Sequence, residues 1–312
     1  MSRCRRPVMA GVLATVIAVG WIGAESVVGQ SRAAAPNPSA APKTTWGDPD
    51  LQGVWTNWDE TPFQIPDPKT DRIRPAVNPR VGREEGLAGG MASVYFGPVS
   101  PRRPGAVVVD PSSGRVPVIP SKRRRENLRA MGDHWTNHGA WQRCITAGVP
   151  GRLLAGGTGG YSRAYRLLQT PGFVVIFPER VHDARIIPVD SRPHVGAAIR
   201  LWNGDSRGHW EGQTLVVKTT NFNDKGEGIA GAPQSEALRV VERFTRIDAK
   251  TLNYEVTIED PNAYTRPWTA RQPHNLDPTF VIYEVACHEG NRRFMEGALE
   301  MGRLRDADEA KK

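Results

Sequence analysis

Residues Thr251 to Asp260 alternate without a break. Leu252, Tyr254, Val256 and Ile258 are apolar or aromatic, and Asn253, Glu255, Thr257 and Glu259 between them are polar. Successive side chains of a strand point to opposite faces, so this segment demands a sheet with one buried face. The preceding run, Leu238 to Ile247, joins it through Asp248-Ala249-Lys250 and completes a hairpin. Composition excludes the helical alternatives. The chain carries 32 Gly and 26 Pro in 312 residues, well above the roughly 12% of average use. Both residues disfavour helix interiors, which argues against bundles, coiled coils and helical repeat arrays. With 39% hydrophobic residues the chain still has enough to bury one sizeable core.

Other hairpins flank this one. Tyr161 to Gln169, a Thr170-Pro171-Gly172 turn and Phe173 to Phe177 form the first. Val181 to Asp190 reads as the next strand. Ile199 to Asn203 is a short one that leads into a turn-rich loop, Gly204 to Gly208. There Asp205 is expected to cap a turn and Gly208 to take a positive φ. His209-Trp210, Glu211-Gly212 and Gln213 to Thr220 make another hairpin, and Phe280 to His288 reads as the last strand. About nine short strands in up-and-down order tend to curl closed, which removes exposed edges. The expected fold is mainly β: an antiparallel up-and-down barrel or strongly rolled sheet of about 8–10 strands. A two-sheet sandwich is the alternative.

The prolines divide the chain. Fifteen of the 26 fall between Pro36 and Pro120. Residues 33–45 read as a flexible linker, and 46–120 as a proline-rich wrap that gives the barrel one strand, Leu51 to Thr56. Residues 121–292 hold the barrel and one helix over 121–143, where Leu128, Met131, Trp135 and His138 share a face. Residues 293–312 read as a charged tail that frays. At the other end, Arg3, Arg5 and Arg6 precede the uncharged run Val8 to Ala24. That is the pattern of a secretory signal peptide over residues 1–32. The run has 17 residues, three of them glycine, which is marginal for a membrane anchor. The expected location is periplasmic or secreted, with no stable membrane insertion after signal removal.

Removing residues 1–32 lowers the formal charge from +8 to +5. The block Lys122-Arg123-Arg124-Arg125 remains, without aromatic platforms or a nucleic-acid module, and reads as a solvated face. Nucleic acid is not an expected partner; a small-molecule ligand or substrate is. Export also leaves Cys144 and Cys287, 143 positions apart, as a candidate disulfide. Two buried thiols, or a metal site using Cys287 and His288, are the alternatives. His134 and His138 stand four apart, a spacing that can hold a metal, but the accompanying Glu of a zinc-protease motif is missing. No metal or cofactor is expected.

Several stretches resemble a large family of exported bacterial proteins of unknown function. They are Trp46 to Asn57, Arg143-Cys144-Ile145 with Gly148 to Gly151, His182 to Pro188, and Gly204 to Gly212. Leu215-Val216-Val217 with Thr219 to Phe222, Glu242 to Arg246 and Tyr283 to Asn291 complete the set. Together they cover most of residues 46–291 in order. The resemblance implies export and supports pairing both cysteines, which fall within its motifs, but it implies no reaction. A weaker likeness, resting on Gly53-Val54-Trp55 before antiparallel hairpins, is to the lipocalin or calycin barrels. It implies a cavity that holds a ligand.

His182-Asp183-Ala184-Arg185 is the group most suggestive of chemistry. On a strand, Asp183 and Arg185 share the face of Val181 and Ile187, a polar pair on an apolar face. Such a pair inside a cavity anchors the polar end of a ligand, with Arg185 orienting it. His182 and Asp183 then form a candidate acid–base pair. The bland reading is an internal salt bridge. Trp55, Trp210, Tyr254 and Tyr283 are the candidate aromatic wall, and His288 and Glu289 candidate ligand-binding groups at the barrel rim. Glu242, Arg243, Arg266 and Trp268 are further polar or aromatic candidates. Asp205-Ser206-Arg207-Gly208-His209 gathers Ser, His and Asp, but neighbours in a turn rarely reach triad geometry. Three readings follow: a binder of a small, partly apolar molecule; a barrel enzyme of hydrolase, isomerase or hydratase type; and a structural envelope protein.

Overall fold

The computed structural model describes residues 42–66, 100–122, 138–154, 163–179, 181–226, 228–284 and 286–311. The expected signal peptide, most of the expected linker, the bulk of the expected helix and His134 lie outside these residues. Ten strands form one antiparallel sheet: β1 Gly53–Thr56, β2 Val108–Asp110, β3 Ala164–Thr170, β4 Phe173–Pro178, β5 Arg185–Pro188, β6 Asp205–Glu211, β7 Thr214–Thr220, β8 Arg239–Arg246, β9 Thr251–Glu259 and β10 Trp268–Leu276. Their order is β5-β4-β3-β1-β10-β9-β8-β7-β6, with β2 beside β10. The sheet rolls into a nearly closed barrel, as the alternation predicts.

The interior follows from strand periodicity. Leu252, Tyr254, Val256 and Ile258 of β9 are fully buried, as are Val240, Glu242 and Phe244 of β8. Cross-strand pairs such as Phe244 with Tyr254 and Val240 with Ile258 set the register. The proline-rich segment supplies β1, as expected, and also β2, whose three residues are too few to show a period.

Closure is incomplete. The terminal strands β5 and β6 face one another, but no backbone ladder joins them. Side chains bridge the gap instead. Gly208 of β6 is extended rather than at positive φ, so the turn expected at Gly204 to Gly208 is a strand from Asp205 onward. Its missing Cβ is what lets β5 approach: a methyl there would sit 3.2 Å from Ile187 and 3.3 Å from Val189. Asp205 does not cap that turn either. Its carboxylate accepts from His194 Nδ1 at 2.8 Å and the Val195 N–H at 3.1 Å, and from Arg207 at 2.6 Å.

Five expectations need correction. The strand over Val181 to Asp190 shrinks to β5, because Val181 and His182 sit at φ 70° and 54°, outside extended geometry. Ile199 to Asn203 makes only a single bridge, Leu201 with Phe222. The described residues of 280–288 form no strand; β10 takes that place in the sheet. The expected fraying tail is instead an α-helix, α1, Asn291–Glu309. Ion pairs Arg292–Glu296 and Arg303–Glu300, at helical spacing, support it. Of the helix expected over 121–143, the described C-terminal part, 138–143, is a series of turns, and Pro120–Lys122 is a short 3-10 turn. Among the described residues no helix is long and apolar enough to cross a membrane.

Candidate functional site

One mouth of the barrel is covered by residues 144–154. The cover is pinned at its start by a disulfide between Cys144 and Cys287, with 5.7 Å between their Cα atoms. That pairing removes the alternative of a metal site on Cys287 and His288. Two residues later the buried Thr146 hydroxyl lies 2.8 Å from Asp183 Oδ2 and 2.7 Å from Asn203 Oδ1. Asn203 also donates its amide to the same Asp183 oxygen. Asp183 thus ties the cover to the turn before β5 and to the segment before β6.

Beneath this knot lies a cavity of about 30 Å³, room for about one water molecule. Its polar wall is Thr146, Asp183, Arg185 and Asn203, and its apolar wall includes Val149, Pro150, Leu153 and Ile176. Among the described residues, side chains such as Leu215, Val217, Phe244, Tyr254 and Trp268 fill the barrel interior.

Arg185 acts differently from Asp183. Its guanidinium crosses the seam and donates to Ser206 at 2.9 Å, Thr219 at 2.8 Å and Glu242 at 2.5 Å. One side chain therefore ties β5 to β6, β7 and β8. Glu242 is fully buried and accepts a second bond, from the Tyr254 hydroxyl at 2.9 Å. Burial first, and the Glu242 charge second, raise the pKa of Tyr254. Tyr165 is raised by the same two causes. Tyr254 stacks on His274 of β10, and the Tyr165 hydroxyl meets His274 Nδ1 at 2.5 Å. Burial lowers the His274 pKa to about 3, only partly opposed by the Leu153 backbone. A polar ladder, Arg185–Glu242–Tyr254–His274–Tyr165, thus runs through the barrel interior.

The structure brings together only part of the sequence-predicted set. Asp183 and Arg185 line the mouth cavity, and Tyr254 stands deeper in the ladder. His182 is not in the cavity wall. Its Nδ1 donates to the Glu179 carbonyl at 3.0 Å and its ring packs edge-on against Phe177. Strand alternation already sets His182 on the face opposite Asp183 and Arg185, and the left-handed backbone at Val181 and His182 takes it out of the strand altogether. Trp55 is core: its indole donates to the Leu51 carbonyl at 2.9 Å, with Arg246 over its ring. Trp210 packs against the core and borders an open groove beside Arg207 and His209. Tyr283, His288 and Glu289 are exposed in the coil and turn before α1, not at a strand end. The Ser206 hydroxyl is taken up by Arg185 and Thr219, and no triad forms there. His138 is buried edge-on to Phe294. Among the described residues no three His, Cys, Asp or Glu side chains cluster as a metal site.

Thr146, Asn203 and His274 were missed by sequence reasoning. His274 had little signal: Trp268, Ala270, Gln272 and His274 alternate inward along β10, but the last two are polar and break the apolar period. Thr146 and Asn203 lie in loops and had none. Comparison with protein-family models, with curated proteins and with solved structures gave no match.

Proposed function

We propose that this protein is exported and binds a small, partly apolar molecule at the mouth of the barrel, beneath the 144–154 cover. The carrying observation is convergence. Asp183, Thr146 and Asn203 meet a mainly apolar wall around one cavity, the usual make-up of a ligand site. A ligand larger than water has to lift the cover, which is held at the mouth by Cys144 and Thr146. Export is supported by the basic, then apolar, N-terminus and by the disulfide, which persists in oxidising compartments. Membership of the exported family belongs to the same reading. Four of its motifs supply Arg185, Ser206, Thr219 and Glu242, which meet at the seam.

The test is a fragment screen by thermal shift on the mature, disulfide-intact protein, run beside Asp183→Ala and Ala147→Trp. The second variant fills the mouth from the cover side. Fragments that stabilise the wild type lose their effect in both variants. Fragments that stabilise all three proteins equally remove the mouth from consideration.

A catalytic reading has one observation in its favour. Val181 is β-branched and left-handed, a strained state, next to a left-handed His182 and just before Asp183. Strain of this kind collects at functional sites. Turnover of a metabolite extract that is lost in His182→Ala would support an enzyme. Turnover unchanged in that variant would remove His182 from the mechanism.

A further inference from the structure

His274 in the barrel interior belongs neither to the Arg185 cluster at the seam nor to the knot at the mouth. His274 is fully buried, its ring stacked on Tyr254 with 5.0 Å between centroids. Burial keeps the phenol proton on Tyr165, and we assign it as the donor across the 2.5 Å contact to His274 Nδ1. A neutral imidazole that accepts at Nδ1 carries its own proton on Nε2. That Nε2–H points toward the Leu153 backbone but makes no hydrogen bond of normal geometry. Buried polar groups without a partner are uncommon, and each asks for a reason.

Leu153 supplies one. It is also a wall of the mouth cavity, so a single residue belongs to both the cavity and the surroundings of the orphan donor. It sits on the 3-10 turn Gly151–Leu153, whose preceding residue, Pro150, gives no side-chain cap. His274 is not itself in the cavity wall, and Leu153 is the residue the two have in common.

We propose that His274 is the inner recognition group of the mouth site, its Nε2–H donating to the carbonyl oxygen of a neutral, compact, apolar ligand that takes the place of Leu153. This rests on the mouth reading and gives it a ligand class. A carbonyl oxygen accepts a hydrogen bond and brings no charge. A carboxylate ligand is disfavoured, because Asp183 and Glu242 already place two negative charges around the path and Arg185 offsets one. The ring is held in place for such a contact, since Tyr165 fixes its tautomer and Tyr254 fixes its plane.

The experiment uses the disulfide-intact protein with ¹⁵N-labelled histidine and three probes of similar size: cyclohexanone, methylenecyclohexane and cyclohexanecarboxylate. The first two differ only in the acceptor oxygen. The expected result is that cyclohexanone binds about tenfold more tightly than methylenecyclohexane and shifts the His274 Nε2 resonance, while the carboxylate does not bind. In His274→Phe, cyclohexanone falls to the level of methylenecyclohexane; if that variant does not fold, the wild-type comparison decides alone. Equal binding of the two neutral probes, with the Thr146 and Ala147 amides shifting and His274 silent, overturns the role of His274 and leaves the mouth site standing. Binding by none of the three probes also overturns it, and the mouth reading is then judged by its own fragment screen.

Discussion

Replacing Arg185 with Met removes the side chain that spans the seam. The Arg185 side chain is 10% exposed and that of Glu242 0%, so this is a buried pair and solvent screening is slight. After the substitution Glu242 keeps only the Tyr254 hydroxyl, and an uncompensated carboxylate stays inside the barrel. Breaking a buried pair in this way costs about 3–5 kcal/mol. With a urea m-value of about 2–3 kcal/mol/M, the midpoint falls by about 1–2 M; the corresponding loss in Tm is about 6–20 °C. Glu242→Gln in the same chain removes the stranded charge and keeps an acceptor for Tyr254. Ser206 and Thr219 still bond one another at 3.0 Å. The double variant therefore recovers at least about 2 kcal/mol of the loss. Urea unfolding of the three proteins, disulfide intact, measures this directly. A single variant within about 1 kcal/mol of wild type, or a double variant no more stable than the single, would refute the seam argument.

Three further outcomes follow from buried groups. Unfolded histidine binds a proton below about pH 6.5, whereas His274 in the fold does so only near pH 3. The unfolded state thus holds one more proton between these values. Its contribution is complete above about pH 6.5 and lost by about 1.4 kcal/mol per unit as pH falls. Between pH 7 and 5 the wild type should lose about 2 kcal/mol more than His274→Gln; parallel urea titrations with equal slopes would contradict the assignment. Substituting Cys144 and Cys287 together with Ser should lower stability by up to about 5 kcal/mol, the loop-entropy ceiling for a loop this long, and peptide mapping of the native protein should show neither thiol free. Gly204→Ala should cost more than about 2 kcal/mol, since Gly204 sits at φ +65° and a Cβ would lie 2.5 Å from the Thr220 carbonyl oxygen; wild-type thermal stability in that variant would count against the geometry.

The barrel was legible where one face of a strand is apolar. The β8–β9 hairpin is the case in point, because inside and outside differ in residue type at every position. β10 was not legible for the opposite reason. It buries Gln272 and His274 together with Trp268 and Ala270, and it carries Pro273. A strand that turns polar groups inward presents no hydrophobic period, and its proline argues for a loop. Phe280 to His288 has the apolar residues of a strand but no neighbour to pair with, so propensity alone misassigned it. α1 was hidden by its charge: several apolar side chains, Phe294, Met301 and Leu304, remain exposed, and local ion pairs support it in place of an apolar seam.

The motif His182-Asp183-Ala184-Arg185 shows why the site was only half legible. Strand alternation treats Asp183 and Arg185 as one polar pair with His182 on the opposite face. The left-handed backbone at Val181 and His182 breaks that logic, and the three side chains part. Arg185 is accounted for by closure: where β5 and β6 share no ladder, a guanidinium with three partners holds them together. Its partners Ser206, Thr219 and Glu242 are accounted for by the same need. Asp183 is not, because its bonds run to the cover and to the segment before β6 rather than between the strands themselves. Nor is His274, whose remaining proton faces the Leu153 backbone without a hydrogen bond of normal geometry. Subtracting what the seam requires leaves Asp183, Thr146 and Asn203 at the mouth and His274 below it. If the proposed mouth site binds a ligand, substitutions at these groups should change binding more than stability, while substitutions in the Arg185 cluster should do the reverse.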